Sequence, residues 1–204
     1  MQDLINFFIE PYQNASTLDI ALEVIAVIFG ILSVYYAKLE RIAVFPTGII
    51  STLIYVYICW VYSLYGDFII NSYYTLMSIY GWVLWSKSDI SHELQISRAS
   101  KRDWIKALLI FSSTAILVIV VYKYFDRFDR LTDYSDTMTT GIFFAAMWLM
   151  ANKKIEHWWL WIIANTISVP LYLFKGLGFT ALQYSLFLIL AYQGYLSWKK
   201  KLKE

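Results

Sequence analysis

The sequence predicts an all-α membrane protein with seven transmembrane helices, in a 3+1+3 arrangement of two parallel three-helix bundles. Of its 204 residues, 59% are hydrophobic and only 16% are charged, whereas a soluble domain is nearer half apolar and one quarter charged. The apolar residues are concentrated in blocks of about 20, the length that crosses a hydrocarbon core of roughly 30 Å. The second half of the chain also repeats local patterns of the first half, which indicates an internal duplication.

The elements follow one another in a simple order. Residues 1–18 are amphipathic, and we expect them to lie at the membrane interface ahead of the first span. Length and composition predict seven spans, at residues 19–37, 43–64, 67–85, 104–123, 135–151, 158–174 and 179–198. The fifth has the weakest pattern because three threonines dilute its start. The predicted divisions are the interfacial segment, a first three-helix bundle, a cytoplasmic connector with a linker helix, and a second bundle with a basic cytoplasmic tail, at 1–18, 19–87, 88–133 and 134–204.

Basic residues lie mostly in alternate loops, and this asymmetry predicts the orientation. The basic loops and the tail contain Lys38, Arg41, Lys87, Arg98, Lys101, Arg102, Lys153, Lys154, Lys199, Lys200, Lys201 and Lys203. The other loops contain only Lys123, Arg127, Arg130 and Lys175. Because basic loops stay in the cytoplasm, we expect a multi-pass protein of the inner (plasma) membrane with its N-terminus outside and its C-terminus inside.

The internal duplication is visible in two places. Ala37 ends the first span as Ala151 ends the fifth, at an offset of 114 residues. Residues 80–87 (YGWVLWSK) parallel residues 193–200 (QGYLSWKK) at an offset of 113. Spans 1–3 and 5–7 are therefore predicted to form two parallel units, with span 4 as their linker. Two similar bundles side by side are typical of transporters, whose site lies near the midplane between them.

Polar and aromatic residues form stripes on three of the spans. The stripe on the sixth span, with spacings of 3, 4, 3 and 4, is Trp158, Trp161, Asn165, Ser168 and Tyr172. The third span has the same spacing in Asn71, Tyr74, Ser78, Gly81 and Trp85, and the corresponding region of the seventh contains Gln183, Tyr184 and Gln193. Lipid does not stabilise such side chains, so we expect them to face protein or a water-filled cavity. Helix packing with interfacial tryptophans is the alternative explanation.

The chemistry of the stripes predicts the class of ligand. Asn and Gln offer uncharged donors and acceptors, while Trp and Tyr offer faces that stack on rings and attract cations. The expected substrate is a neutral or cationic aromatic compound with several hydroxyl or amide groups. Lys106 and Lys175 lie at span ends, and no arginine within a span is available to bind phosphate, which disfavours a phosphorylated substrate. Glu23, an acidic residue within a span, is compatible either with proton coupling or with a structural role.

An enzyme is not expected. The chain has no phosphate-binding glycine loop, and His92 and His157 stand alone without metal-ligand spacing. The single Cys59 excludes a disulfide framework. No cofactor or metal is predicted. The alternative of another class is a membrane receptor or assembly subunit that uses the stripes for packing, against which the duplicated bundle argues.

Two motifs resemble the PnuC family of vitamin transporters. They are Tyr80-Gly81-Trp82-x-x-Trp85, and Trp158-x-x-Trp161-x-x-x-Asn165-x-x-Ser168. Leu39-Glu40-Arg41, followed by the Gly48 segment, is similar as well, and the resemblance covers residues 19–198. It implies a SWEET-like fold and a homotrimer with one pathway per protomer. It also implies facilitated uptake of nicotinamide riboside by alternating access, a cytoplasmic kinase that traps the substrate by phosphorylation, and a role in NAD biosynthesis.

The resemblance also assigns binding residues. It implies substrate contacts for Trp158, Trp161, Asn165, Asn71, Gln183 and Tyr184. Other members have a different polar residue at Asn71 and Gln183, which leaves the substrate open. Relatives take thiamine, also a cationic aromatic, so thiamine is the alternative substrate. The leading hypothesis is passive uptake of nicotinamide riboside, with aromatic faces on the pyridinium and amides on the carboxamide and ribose.

Overall fold

The computed structural model describes residues 16–62, 65–87, 94–124, 131–175 and 178–202. These residues form seven α-helices, which confirms the predicted all-α class. The helices are α1 (Thr17–Lys38), α2 (Val44–Val61), α3 (Tyr65–Ser86), α4 (Lys101–Tyr124), α5 (Leu131–Ala151), α6 (His157–Phe174) and α7 (Gly178–Lys201). Each corresponds to one predicted span. Most of the predicted interfacial segment, residues 1–15, lies outside the described residues.

Local chemistry explains several helix boundaries. Ser16 caps α1, because its Oγ accepts a hydrogen bond of 3.1 Å from the backbone N–H of Asp19. Pro46 lies in the first turn of α2. Backbone N–H groups there have no acceptor within the helix, so a proline at this position costs no helical hydrogen bond. Pro170 lies inside α6, so the helix loses one backbone hydrogen bond there. Of the two prolines, only Pro170 interrupts the hydrogen bonding of its helix.

The fifth helix begins four residues before the predicted span, at Leu131. Its threonines are compatible with a helix because their hydroxyls bond back to the helix itself. Thr137 Oγ1 donates to the Asp133 carbonyl at 2.7 Å, and Thr139 Oγ1 donates to the Ser135 carbonyl at 2.9 Å. The threonine hydroxyls that weakened the hydrophobic pattern of this span are therefore hydrogen-bonded within the helix.

The helices pack as a ring. The main contacts join α1 to α2, α2 to α3, α3 to α5, α5 to α6, α6 to α7, and α7 back to α1. Helix α4 packs mainly on α5 and exposes apolar side chains such as Leu108 and Leu109, each 63% exposed. An apolar surface of this kind fits a lipid environment. By length and composition, α1, α2 and α4 are apolar enough to span a membrane, while the other four mix polar and aromatic residues into their sequence.

The ring has two chemically different ends. The lysine end holds the C-terminal ends of α1, α3, α5 and α7, where Lys153 and Lys201 both pair with Glu40. The aspartate end is the opposite one, where Lys175 after α6 pairs with Asp136 of α5. The connector before α4 is fixed to the lysine end, because Ser97 exchanges backbone hydrogen bonds of 3.0 Å with the turn that follows α5.

The turns after α1 and α5 have the same structure. Glu40 and Lys153 occupy equivalent left-handed positions, with φ of 58° and 49°. Equivalent backbone bonds run from Leu39 N to Tyr35 O and Asn152 N to Trp148 O, and from Arg41 N to Tyr36 O and Lys154 N to Leu149 O. These bonds align the turns at an offset of 113 residues, so the predicted offset of 114 at the start of the repeat is wrong by one. The matching alanines suggested the wrong offset, because the register of the repeat is fixed by the geometry of the two turns and not by identical residues.

Candidate functional site

Aromatic side chains from four helices meet inside the ring. The Trp161 ring lies 5.1 Å from that of Phe143 and 6.5 Å from that of Tyr74, measured between centroids. Phe143 lies 5.8 Å from Tyr184, which stacks on Tyr172 at 4.9 Å with an interplanar angle of 11°. We call these five side chains the aromatic box. Helices α3, α5, α6 and α7 each contribute, so the box joins both halves of the chain.

Three polar atoms of the α6 stripe are buried without a partner in the described part of the chain. They are Asn165 Oδ1, Ser168 Oγ and Trp158 Nε1, on side chains that are each 1% exposed. Leaving such a group unsatisfied costs about 1–3 kcal/mol, and most buried polar groups in proteins are bonded. The stripe therefore offers hydrogen-bonding capacity that the fold itself does not use.

The repeat indicates why Asn165 Oδ1 lacks a partner. At an offset of 113 residues its equivalent in the first half is Thr52. The Thr52 hydroxyl lies 2.7 Å from that of Thr75, so the polar groups of α2 and α3 satisfy each other. The equivalent of Thr75 in α7 is Leu188, which has no polar atom to offer. The second half thus keeps a polar group at this position but has lost its internal partner.

The predicted stripe on α3 divides in the structure. Tyr74 joins the aromatic box. Ser78 is buried against α2 instead, since a Cβ placed on Gly48 would lie 3.4 Å from Ser78 Oγ. Asn71 Nδ2 donates to the Asp67 carbonyl of its own helix at 2.9 Å. Of these three predicted residues, the structure therefore brings only Tyr74 to the box.

The predicted residues of α7 divide in the same way. Tyr184 lies in the box, but Gln183 points towards α1, where its Nε2 would lie 3.8 Å from a Cβ placed on Gly30. Gln193 is exposed, and its Oε1 accepts a hydrogen bond of 2.8 Å from Lys38 Nζ at the lysine end. Gln183 and Gln193 thus belong to the contact between α1 and α7.

Phe143 was missed by sequence reasoning, although it links Trp161 to Tyr184 at the centre of the box. It is 6% exposed and lies on α5, a helix whose apolar residues carried no distinctive pattern. The repeat contained a signal, because the equivalent of Phe143 in α1 is Gly30. A bulky ring on one side and a glycine on the other make the two halves unequal.

The stripe on α6 ends in a tightly packed cluster at the lysine end. Trp158 packs on Gly194, whose backbone it approaches so closely that a Cβ there would overlap the ring. In the first half, Phe45 packs on Gly81 in the same manner. His157 is fully buried 4.3 Å from Trp158, and neither ring nitrogen has a partner among the described residues. Along the helix axis, Trp158 lies about 21 Å from Tyr172, so the stripe spans most of a bilayer core.

Two tryptophans tie the halves together at this end. Trp85 Nε1, on α3, donates to the Ala151 carbonyl of α5 at 3.0 Å. Trp198 Nε1, on α7, donates to the Ala37 carbonyl of α1 at 2.9 Å. These bonds are reciprocal, because each half supplies one indole and one carbonyl of the last helical turn. At the lysine end the two halves are therefore joined by hydrogen bonds as well as by packing.

Ion pairs also join the helices at the lysine end. Glu40 pairs with Lys153 at 2.8 Å and with Lys201 at 2.7 Å, and the Lys153 ammonium also lies 4.5 Å from the centre of the Trp85 ring. Burial by itself raises the pKa of Glu40, but the hydrogen bonds from Lys153 and Lys201 outweigh it and hold that pKa below the usual glutamate value. We call Glu40, Trp85, Lys153 and Trp198 the seal.

Comparison with known proteins shows what the chain is similar to. The sequence model described as "Nicotinamide mononucleotide transporter" matches residues 20–200. The chain is 22% identical to the nicotinamide riboside transporter PnuC of Escherichia coli, over 90% of this chain and 87% of that protein. It is 26% identical to the Neisseria mucosa transporter of the same name, over 88% and 72%. The crystal structure of the vitamin B3 transporter PnuC is similar, with a TM-score of 0.67 and 25% identity over 92% of this chain and 84% of that one.

Proposed function

This chain belongs to the nicotinamide mononucleotide transporter family, the family of the PnuC proteins, and we propose that it takes up nicotinamide riboside. It is a multi-pass helical membrane transporter. The observation that supports the substrate is the set of buried, unpartnered atoms of Asn165 and Ser168 on the same helix as Trp161 and Tyr172 of the aromatic box. A transporter site needs hydrogen-bonding groups that stay free of internal partners.

Nicotinamide riboside matches this arrangement chemically. Its pyridinium ring is flat and positively charged, and so it is attracted to an aromatic face such as that of Trp161. Its carboxamide and ribose hydroxyls can both donate and accept hydrogen bonds. Asn165 Oδ1 can accept from the carboxamide N–H, and Ser168 Oγ can bond a hydroxyl. Each of these bonds would satisfy a group that the protein alone leaves unsatisfied.

The riboside is favoured over the mononucleotide by the charges near the box. Among the described residues, the cation recorded against a ring of the box is Lys175, over Tyr172, and it is already paired with Asp136. A phosphate group carries about two negative charges and is usually bound by arginine, lysine or a metal ion. Entry of the mononucleotide would thus desolvate a phosphate beside a carboxylate, without a free cation to compensate.

The closed seal supports an alternating-access mechanism. Basic loops favour a cytoplasmic lysine end; in that orientation this conformation is closed on the cytoplasmic side, with the N-terminus outside. The substrate would enter from the aspartate end, occupy the box, and leave once the seal parts. Uptake is facilitated diffusion, and a cytoplasmic kinase traps the riboside by phosphorylation. Thiamine, the alternative substrate, is also a flat organic cation.

The repeated turns support a two-unit architecture. We propose that α1–α3 and α5–α7 are parallel three-helix units, linked by α4 in a SWEET-like 3+1+3 arrangement. Their equivalent left-handed residues Glu40 and Lys153 form an ion pair with each other, as expected near an axis relating the units. A homotrimer with one pathway per protomer completes this proposal. The pathway then lies within each chain, because helices of the same chain contribute all five rings of the box.

A fluorescence titration of the purified protein tests the substrate. Trp161 lies in the box, so a bound pyridinium should quench its emission. We expect saturable quenching at micromolar nicotinamide riboside, and none by the mononucleotide at the same concentration. Saturation by thiamine but not by the riboside would support the alternative substrate. If none of the three compounds quenches, the proposed function is contradicted.

A further inference from the structure

The ammonium group of Lys175 occupies a position suited to a cation at the aspartate end. Its Nζ lies 2.8 Å from Asp136 Oδ2 and 5.3 Å from the centre of the Tyr172 ring. Tyr122 donates a hydrogen bond of 2.6 Å to the same carboxylate oxygen, so a second helix fixes the Asp136 side chain. The side chains of Lys175 and Asp136 are 27% and 19% exposed, so the ammonium can exchange this position for water.

This position adjoins the aromatic box on the side of the aspartate end. Tyr172 is the member of the box nearest the end of α6, and its ring stacks on Tyr184. One helical turn further inward on α6, Ser168 is buried with an unpartnered hydroxyl. A ligand that replaced the ammonium would therefore contact an aromatic face and lie one turn away from an unsatisfied polar group.

Local charge favours a cation here. A second carboxylate, Asp67 at the start of α3, interacts electrostatically with both Asp136 and Lys175. When Asp67 is ionised, two carboxylates face a single ammonium, and the three groups together carry a net negative charge. Such a field attracts cations and repels phosphate esters, which agrees with a substrate that is not phosphorylated.

We propose that Asp136 and the Tyr172 ring form an entry subsite for an aromatic organic cation, which displaces the Lys175 ammonium. The inference rests on the proposed function, in which that cation is the pyridinium of the riboside. The exchange is favourable because a compact ammonium is strongly hydrated and regains water when it leaves. The delocalised ring cation, in contrast, gains an aromatic face and a carboxylate. When no substrate is bound, Lys175 neutralises a partly buried carboxylate that would otherwise stand alone.

A comparison of charged and uncharged substrates tests this subsite in the full-length protein reconstituted in vesicles. The probes are nicotinamide riboside and its reduced dihydropyridine form, which has nearly the same shape but an uncharged ring. In Asp136→Asn we expect the KM of the cation to rise about tenfold, because the carboxylate attraction and the cation–π geometry are both lost. Uptake of the uncharged form should stay within about twofold of the wild type, since it does not use the charge.

Two further variants make the test independent of one substitution. Lys175→Met removes the resident cation at similar length, and we expect it to lower the KM of the cation about threefold because no competitor remains. The Asp136→Asn/Lys175→Met double variant removes both charges, and should lose the preference for the cation while still transporting the uncharged form. Asp19→Asn is the control, because Asp19 lies at the same end but bonds to Tyr62 at 2.8 Å, away from the box.

The outcomes separate the two proposals. If the wild type takes up neither form, the proposed function fails. If it takes up the cation, but the Asp136 and Lys175 variants change both forms equally or change neither, the subsite is overturned and the ion pair is only structural. A loss of cation preference in Asp19→Asn as large as in Asp136→Asn also overturns it, because the effect would then be general to acidic residues at this end.

Discussion

Asn165 has the clearest functional signature of any single residue in the structure. Its side chain is 1% exposed, and its Oδ1 has no partner in the described part of the chain. The fold would be more stable with an apolar residue of similar size here, because an unpaired buried carbonyl oxygen costs about 1–3 kcal/mol. A substrate that donates a hydrogen bond to this oxygen would explain why a polar residue is kept here at a cost in stability.

Replacing Asn165 by leucine therefore separates binding from packing. We expect Asn165→Leu to abolish uptake of nicotinamide riboside in cells, while expression and thermal stability remain equal to or above the wild type. The physical reason is that leucine has a similar volume but offers neither donor nor acceptor. Radiolabelled uptake and melting in detergent are the measurements.

The neighbouring Thr166 provides a matched control for that experiment. It is exposed, and its hydroxyl bonds to the Ile162 carbonyl of its own helix at 2.8 Å, so Thr166→Val should leave uptake unchanged. A large loss of stability in Asn165→Leu would instead show that the amide is part of the packing.

At the scale of the helices, close contacts between glycine and an aromatic ring determine how neighbours pack. Gly194 of α7 accepts the Trp158 ring of α6, and Gly81 of α3 accepts the Phe45 ring of α2. The four positions are equivalent in the two halves at an offset of 113 residues. The two rings have no free space into which they could move away from the glycines, because Trp158 and Phe45 are 1% and 0% exposed. The helix axes can therefore come this close only because glycine has no side chain at these two positions.

A single methyl group tests this packing. We expect Gly194→Ala to lower stability by about 1–3 kcal/mol, since overpacking forces a buried ring out of place. Alanine otherwise favours a helix over glycine by about 1 kcal/mol, so a loss here has the opposite sign to intrinsic propensity. Thermal unfolding of the purified protein measures it.

Gly66 of α3 is the control for this substitution, because a Cβ there would meet nothing within 4 Å. Gly66→Ala should be neutral or slightly stabilising. Equal melting temperatures for Gly194→Ala and the wild type would show that α6 and α7 can separate at no cost.

At the scale of the whole molecule, the proposed mechanism gives the seal the role of closing the lysine end of the pathway. Its ion pairs and indole hydrogen bonds connect helices of both halves, so they must break together when the lysine end opens. A hydrogen bond to a charged group contributes about 1.5–3 kcal/mol, and a change of 1.4 kcal/mol shifts a two-state equilibrium about tenfold. Loss of the Glu40 charge should therefore shift the population strongly towards the open state.

We expect Glu40→Gln to increase acrylamide quenching of tryptophan emission in the substrate-free protein, since Trp85 and Trp198 become accessible when the seal opens. Lys200→Gln, on an exposed lysine next to Lys201, should leave the quenching unchanged. Lowering the pH should have the same effect as Glu40→Gln. Because the pKa of Glu40 is held below its usual 4.5, the stabilisation is complete above that pH and is lost as the pH falls through the lowered value. Wild-type quenching that stays constant below that range would show that Glu40 does not hold the seal.

Composition and periodicity alone determined the number of helices, their approximate bounds, and the polar stripe of α6. They succeed because hydrophobicity over about 20 residues and the 3.6-residue period are local properties of the chain. The repeat was also visible in the sequence, although matching alanines shifted its first register by one residue. The contrast between Thr75 and Leu188, which leaves Asn165 unpaired, was present in the sequence but needed the correct register to be recognised.

Only the tertiary structure decided which stripe residues meet. Tyr74 and Tyr184 reach the aromatic box, while Ser78 packs on α2 and Gln193 pairs with Lys38. Periodicity shows which residues share a face, but the rotation of a helix about its axis is set by its neighbours. Phe143 was not predicted for the same reason, since it is an ordinary apolar residue in the sequence. It lies at the centre of the box because α3, α6 and α7 bring their aromatic side chains around it.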